Sequence, residues 1–357
     1  MPPMLRFILQ RFLFSVFSFL MITAILFGGV LLTPAKERAA LYLPKVLPQR
    51  MTEAQYENLI RVAIEKHDLD APYPVQYVTW LGNLFRGAWG YSPALREDVL
   101  ESMLRRTPAT LELTLYSLML FMPIGLISGV LAARSAHRGA DMVLQLGAFI
   151  ATALPPFIMA LFLLSVFYAG LQWFPPERLS LSMSFVVGDE AFRQYTGLLT
   201  VDGLLNGRLD VTLDAFRHLV LPVLTLSLYH WATLQRVTRA ALMDELGKDY
   251  LLAARAHGLP TRRVIWRHAL RNAISPTLTS SLLSAASLLT GVFVVEIIFN
   301  FHGVSEVITL GMRIAPDASA ALGFAVYSIV AVLGLMFVLD VLQAMFDPRY
   351  REGMLSI

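Results

Sequence analysis

The densest reactive chemistry in this chain lies at residues 236–271, RVTRAALMDELGKDYLLAARAHGLPTRRVIWRHALR. Arg236, Arg239, Lys248, Arg255, Arg262, Arg263, Arg267 and Arg271 stand there against only Asp244, Glu245 and Asp249, whereas the whole chain has a net charge of +3. Guanidinium groups at this density recognise carboxylates and phosphates through paired N–H donors. That is the chemistry of docking, not of bond making. The residue sets that make or break bonds are missing. There is no cysteine, which excludes disulfides, thiolate metal sites and a thiol nucleophile. The one Gly-Lys pair, Gly247-Lys248, is followed by Asp249, so no phosphate-cradling loop of the Walker type exists. No H-E-x-x-H pair and no G-x-S-x-G elbow occurs. His257 and His268 are eleven residues apart across the turn at Gly258-Leu259-Pro260 and the other histidines are scattered, so no metal site is expected. The sequence thus assigns no catalytic, cofactor-binding or metal residue, and the chain is expected not to be an enzyme.

The basic stretch breaks at Gly258-Leu259-Pro260. Residues 244–256 are predicted to continue a preceding helix, and Gly258 to end it, as a glycine just past a helix commonly does. Pro260 reinforces the turn. A second short helix is expected from about Thr261 to Asn272, with Ile265, Trp266, Ala269, Leu270 and Ala273 at near-helical spacing. The small Ala253, Ala254 and Ala256 let another backbone approach closely. Two readings fit these residues on physical grounds alone. One is a docking element for a soluble partner. The other is a basic amphipathic helix resting on anionic lipid headgroups.

The elements around the stretch are apolar. Hydrophobic residues make up 56% of the chain, charged residues 15%, and mean hydropathy is +0.59. Soluble domains carry about a quarter charged residues, so an all-α polytopic membrane protein is expected. The run 12–32 has the length needed to cross roughly 30 Å of hydrocarbon. It is longer than the apolar core of a signal peptide and lacks a cleavage site, so an uncleaved first span is expected. Five further spans are predicted at 109–133, 142–170, a short 219–235, 276–298 and 320–346. The organisation that follows is an N-terminal helix at 1–32 and an extracytoplasmic segment at 33–108. A five-helix core at 109–346 then contains the loop 236–275, and a tail occupies 347–357. Within 33–108, the run from Thr52 reads as an amphipathic helix opened by a Thr52/Gln55 capping box, with Leu59, Val62 and Ala63 on one face, extended by Tyr56 and Ile64. Pro155-Pro156 forces a kink in the third span. It fits either simple packing or a break that lines a cavity. Gly125, Gly129 and Gly291 mark close helix contacts, within this chain or with another.

Six spans put both termini on one side. The termini, the 134–138 turn and the basic loop hold 14 Lys and Arg; the opposite side holds 15, of which ten lie in 33–108. That segment exceeds the roughly 60 residues within which loop charge sets orientation. The termini and the basic loop are therefore expected in the cytoplasm. Glu112, Glu296 and Asp340 are the acids within predicted spans, all near span ends, where capping or headgroup contact competes with an ion-coupling role.

The run DYLLAARAHGLPTRRVIWRHALRNAISP resembles the EAA loop of ABC importer permeases, in the form typical of the dipeptide/oligopeptide/nickel branch. The family pattern, E-A-A-x-x-x-G and then I-x-L-P, aligns on Leu252, Ala253, Ala254, Gly258, Ile274 and Pro276; Leu252 replaces the glutamate, as often in the peptide branch. TPATLELTL, RHLVLPVLTLSL, VVEIIFNFHGVSE and the DPR at 347–349 extend the resemblance over most of the chain. The long segment after the first span suits the first permease subunit of such systems. The resemblance implies that Ala253, Ala254, Arg255, Gly258, Leu259, Pro260, Thr261, Arg262, Arg263, Val264 and Ile265 form the loop that couples the spans to a separate ATPase. It implies no directly bound cofactor, with ATP used by partner subunits. Those partners would be a second permease subunit, more often different than identical, two ATP-binding cassette subunits and an extracytoplasmic binding protein. Lipid bilayer is implied and nucleic acid is not. The location would be the inner membrane of a bacterium or archaeon, and the cargo a peptide, nickel complex or oligosaccharide. No residue of the substrate pathway is assigned. A self-sufficient secondary carrier or channel is the competing class. It would move substrate without partners, whereas a permease subunit would not.

Overall fold

The computed structural model describes residues 3–39, 52–66, 68–313 and 317–346. In chain order its helices are α1 (Pro3–Leu31), α2 (Ala35–Ala39), α3 (Glu53–Lys66) and α4 (Tyr73–Phe85). A two-residue hairpin, β1 (Tyr91–Ser92) with β2 (Glu97–Asp98), pairs Tyr91 with Asp98 and Ser92 with Glu97. Then follow α5 (Val99–Arg134), α6 (Gly139–Ala153), α7 (Pro156–Leu163) with a π-helical extension Leu164–Gly170, α8 (Leu181–Val187), α9 (Leu199–Leu205), α10 (Leu209–Leu246), α11 (Asp249–Ala256), α12 (Thr261–Arg263), a π segment Val264–Ala269, α13 (Leu270–Phe299), α14 (Ser305–Arg313) and α15 (Ala318–Phe346). Among the described residues five helices are long and apolar enough to cross a membrane, and α6 with α7 makes a sixth candidate if that bent pair is one span. The DPR at 347–349 lies outside the described residues.

Two compact units divide the chain. One comprises Met1–Ile8, Pro108–Gly303 and Leu335–Ile357, the other Leu9–Thr107 and Val304–Gly334. In the first unit α10 is the central column. Its buried residues meet successive layers: Val211 and Ala215 join Leu179, Phe192 and Leu199; Leu219 to Leu226 join Leu113, Met159, Leu163 and Val295; Leu234 joins Phe121 and Leu288; Leu242 joins Val130 and Leu251. α5 crosses this column closely because Gly125 and Gly129 carry no side chain. A Cβ at Gly129 would lie 2.5 Å from Thr238 Cβ and 2.8 Å from the Gln235 carbonyl. Both contacts are within the chain. Gly291, by contrast, makes ordinary contact with Leu226.

The third predicted span is not one kinked helix. Leu154 and Pro155 are extended, with ψ of 133° and 143°, and the two halves meet at 100°. Each proline forces the residue before it out of the helical region, so two in succession break the helix outright. The fourth predicted span, 219–235, is only the apolar middle of α10, whose 38 residues reach well beyond it at both ends. Its polar ends are held by partners: Ser180 N donates to Asp214 at 2.7 Å, Arg217 Nε to the Trp173 carbonyl at 2.7 Å, and Arg239 makes two 2.7 Å bonds to Asp141. α5 likewise starts ten residues before the span expected at 109. Glu112, expected near a span end, is therefore deep within its helix.

The α6–α7 pair climbs α10 in register. Asp141 sits by Arg239, Ala148 and Ala151 by Ala232, Met159 and Leu163 by Leu219 to Leu226, and the Trp173 carbonyl by Arg217. From Arg239 to Arg217 is 22 residues of α10, roughly 33 Å at the helical rise.

Above this climb the segment 171–218 folds as a cap. Glu112, 2% exposed, accepts from the Thr200 N–H and hydroxyl at 2.9 and 2.7 Å and pairs with Arg178 at 2.7 Å. Glu296 is buried and bonded by the Thr110 hydroxyl. Both acids thus fasten helices.

In the second unit, the α3 capping box forms as expected, with Thr52 N donating to Gln55 Oε1 at 3.0 Å and Gln55 N to Thr52 Oγ1 at 3.4 Å. Its buried face matches the expected one in part: Ala63 is buried and Ile64 packs on the same cluster, with Ile60 added. Ile60 and Ala63 pack on Ala39 and Leu69, while Val62 and Tyr56 are exposed. α4 lies along the end of α1: the Tyr73 and Tyr77 hydroxyls bond the Ala24 and Leu20 carbonyls, and Trp80 stacks on Phe27 at 5.0 Å. Asp317 starts α15 by accepting from Ala320 N and also holds the hairpin through Ser92 Oγ at 2.6 Å.

Candidate functional site

The basic stretch forms a turn at one end of the first unit. α10 ends at Leu246, because Gly247 and an extended Lys248 (ψ 145°) separate it from α11. The expected continuation of α10 through residue 256 is thus broken, and the break is pinned. Glu245 accepts from Lys248 Nζ and from the Tyr250 hydroxyl at 2.7 Å, and Asn272 Nδ2 donates to that hydroxyl at 2.9 Å. The Glu245 carboxylate raises the Lys248 pKa, and burial first, then Glu245, raises that of Tyr250.

α11 ends as its sequence predicts. Gly258 adopts φ +79°, a conformation that a side chain would strain. Gly258 N bonds the Arg255 carbonyl at 2.9 Å and Leu259 N the Ala254 carbonyl at 3.3 Å, the paired bonds of a Schellman cap. Pro260 then starts the next helix, its carbonyl taking the Arg263 and Val264 N–H groups at 2.8 and 3.1 Å. That helix does not end at Asn272. α12, the π segment and α13 run on as one helix, Thr261–Phe299, so the predicted fifth span begins at the turn itself. Pro276 lies inside it, well past the first turn, as prolines do in membrane helices where neighbouring groups satisfy the freed carbonyl.

Packing splits the predicted loop residues into two sets. Val264 and Ile265 are buried with Leu251, Ala269, Leu270 and Ala273 against Val130 and Ala133 of α5 and Leu242 of α10; Ala254 and Leu259 are half-buried on the same cluster. Each large aliphatic group buried there contributes about 1.5–3 kcal/mol. Ala253, Arg255, Gly258, Pro260, Thr261, Arg262 and Arg263 face outward, with Arg267 and Arg271 further along. Trp266, expected on the apolar face, is 41% exposed, because Val264 takes the inward position. Among the described residues, Arg255, Arg262, Arg263, Arg267 and Arg271 form no ion pair, whereas Arg239 and Lys248 do. The turn is therefore a ridge packed from behind, whose outward guanidinium groups form no ion pair among the described residues.

Sequence reasoning found Ile265, Ala269, Leu270 and Ala273 but missed other residues that hold this ridge. Leu251 stands three before Ala254 and is readable as the inward position of α11. Tyr250, Asn272 and the Asp141–Arg239 clamp gave no signal, since their partners are 22 and 98 residues away. Asp141 also accepts the His137 N–H at 3.0 Å, tying the short α5–α6 turn to the same end.

Residues 123–352 match the family described as binding-protein-dependent transport system inner membrane component. The di/tripeptide transport system permease protein DppB of Pseudomonas aeruginosa is 31% identical over 98% of this chain and 99% of its own length. The oligopeptide transport system permease protein AppB of Bacillus subtilis is 31% identical over 97% and 99%. The probable D,D-dipeptide transport system permease protein DdpB of Escherichia coli is 32% identical over 85% and 86%.

Proposed function

The chain belongs to the family of binding-protein-dependent transport system inner membrane components, and on that premise we propose that it carries peptides, driven by ATP-hydrolysing subunits that seat on the turn at Gly258. It is a multi-pass membrane protein and a permease subunit of an ABC importer. Peptide cargo rests on the names of the relatives. Seating rests on the observation that carries the proposal: an outward ridge of unpaired arginines welded from behind to α5, α10 and α13. A partner that grips Arg262 and Arg263 pushes directly on a helix of 39 residues, Thr261–Phe299. Because Val264 and Ile265 are buried behind the ridge, the push reaches the neighbouring helices without slack.

The topology we propose has six crossings. The α6–α7 pair counts as one, which its climb of roughly 33 Å along α10 supports, since the hydrocarbon core is about 30 Å thick. α5, α10 and α13 then each cross once, and Gln343, bonded to Thr279 at 3.0 Å, supports returning α15 to the end that carries the ridge. Both termini and the ridge face the cytoplasm by the loop-charge argument. The opposite end, with the 171–218 cap, faces a binding protein outside. A second permease subunit, two ATPases and the binding protein complete the assembly, and ATP binds to the partners rather than to this chain.

Reconstituted with those partners, the system should take up labelled dipeptide only with ATP. Exchanging Arg262 and Arg263 for Glu should abolish uptake while the assembly's binding protein still binds peptide. Uptake by this chain alone would sink the proposal and favour a self-sufficient carrier.

A further inference from the structure

A cavity of about 130 Å³ opens in the second unit, lined in part by Phe27, Val30, Arg38, Trp80, Asn83 and Ser319. One water needs roughly 10–15 Å³ on this scale, so a polyatomic group fits. Arg38 donates from Nε to the Thr33 carbonyl at 3.0 Å, from Nη1 to Gln76 Oε1 at 2.6 Å and from Nη2 to the Leu69 carbonyl at 2.9 Å. All three acceptors are neutral. A guanidinium has five N–H donors, so two remain. Gln76 is buried and spends its own amide N–H groups on the Leu69 and Ala71 carbonyls at 2.9 and 2.6 Å, which aims its oxygen at Arg38.

No carboxylate among the described residues pairs with Arg38, and no acid lines the cavity. The stretch 40–51, next along the chain, contains neither Asp nor Glu. Ser319, only 6% exposed, lines the same cavity. A partly buried cation ringed by neutral dipoles, beside a buried hydroxyl, is short of an anion.

Position narrows the anion. Phe27 and Val30 belong to the last turns of α1, one of the helices long and apolar enough to span. Tyr73, Tyr77 and Trp80 clasp that end, the arrangement that marks headgroup depth in membrane proteins. The cavity has an apolar wall of Phe27, Val30 and Leu322 continuous with the span, and a donor wall of Arg38, Asn83 and Ser319. We propose that it binds the phosphate of an anionic membrane phospholipid, with Arg38 as the counter-ion and Ser319 as a further donor. The proposal is independent of what the protein transports.

The test is native mass spectrometry of the full chain purified in mild detergent and supplied with phosphatidylglycerol. The wild-type chain should retain the lipid, Arg38→Gln should retain roughly tenfold less, and Ser319→Ala roughly threefold less. Excess inorganic phosphate, or a dipeptide with its free carboxylate, should not displace it. Because Arg38 also ties Thr33 to Leu69, its variant can fail to fold; Ser319→Ala leaves those bonds intact and then decides the matter. Wild-type retention in Ser319→Ala overturns the proposal, as does one-for-one displacement by phosphate or dipeptide, which would make the cavity a pocket for free anions.

Discussion

The two ends of the first unit treat charge in opposite ways. In the cap around Glu112, the acids are satisfied in place: Glu112 takes Arg178 and Thr200, Asp202 takes three donors from Thr196 and Gly197, and Asp214 takes the Ser180 N–H. At the ridge, Arg239 and Lys248 are paired, while five arginines beyond them have no ion pair among the described residues. The paired charges lie at the junctions between helices, and the unpaired ones lie on the outside of a turn. Charge that holds a structure together is neutralised in place. Charge left exposed on a rigid support is available to another molecule.

The comparison breaks if the paired charges prove dispensable or the unpaired ones prove structural. Glu112→Ala leaves Arg178 without its buried partner and should cost about 3–5 kcal/mol, read as a large drop in the thermal unfolding midpoint in detergent. A variant as stable as the wild type would remove the cap from the argument. Gly129→Ala should cost about 1–3 kcal/mol, because its methyl group would collide with Thr238 and the Gln235 carbonyl; the same measurement reads it. Exchange of Arg262 and Arg263 for Glu should change stability by less than about 0.5 kcal/mol yet abolish ATP-driven uptake. A large loss of stability there would make the ridge structural.

The smallest effect concerns pH. Glu245 raises the Lys248 pKa above its unfolded value, so the pair's stabilisation is complete below that value and fades as pH rises through the folded one. Lys248→Met should therefore unfold slightly earlier than wild type at neutral pH and indistinguishably in strong alkali. A difference that grows with pH would reverse the sign.

Much of the ridge was legible in the sequence, because its signals are local. Gly258 and Pro260 dictate their own backbone, and the capping box of Thr52 and Gln55 closes over three residues. Helix ends were less legible. Hydropathy marks the apolar middle of α10 but not its charged extensions, whose helicity depends on partners such as Asp141 and the Trp173 carbonyl far along the chain. The π segment was hidden for the same reason: nothing between Val264 and Ala269 signals that the turn helix runs on without a break into α13. The inward choice of Val264 over Trp266 depends on the shape of the cluster it enters.

The most direct test uses the absence of cysteine, which makes any introduced thiol unique. Thr261→Cys on the ridge and Tyr195→Cys on the exposed cap should behave oppositely in the assembled transporter. The account predicts that the thiol at 261 cross-links to an ATP-hydrolysing subunit and resists a membrane-impermeant maleimide added to intact cells, while the thiol at 195 is labelled and does not cross-link to that subunit. Labelling at 261 from outside, or a cross-link from 195 to the ATPase, would contradict it.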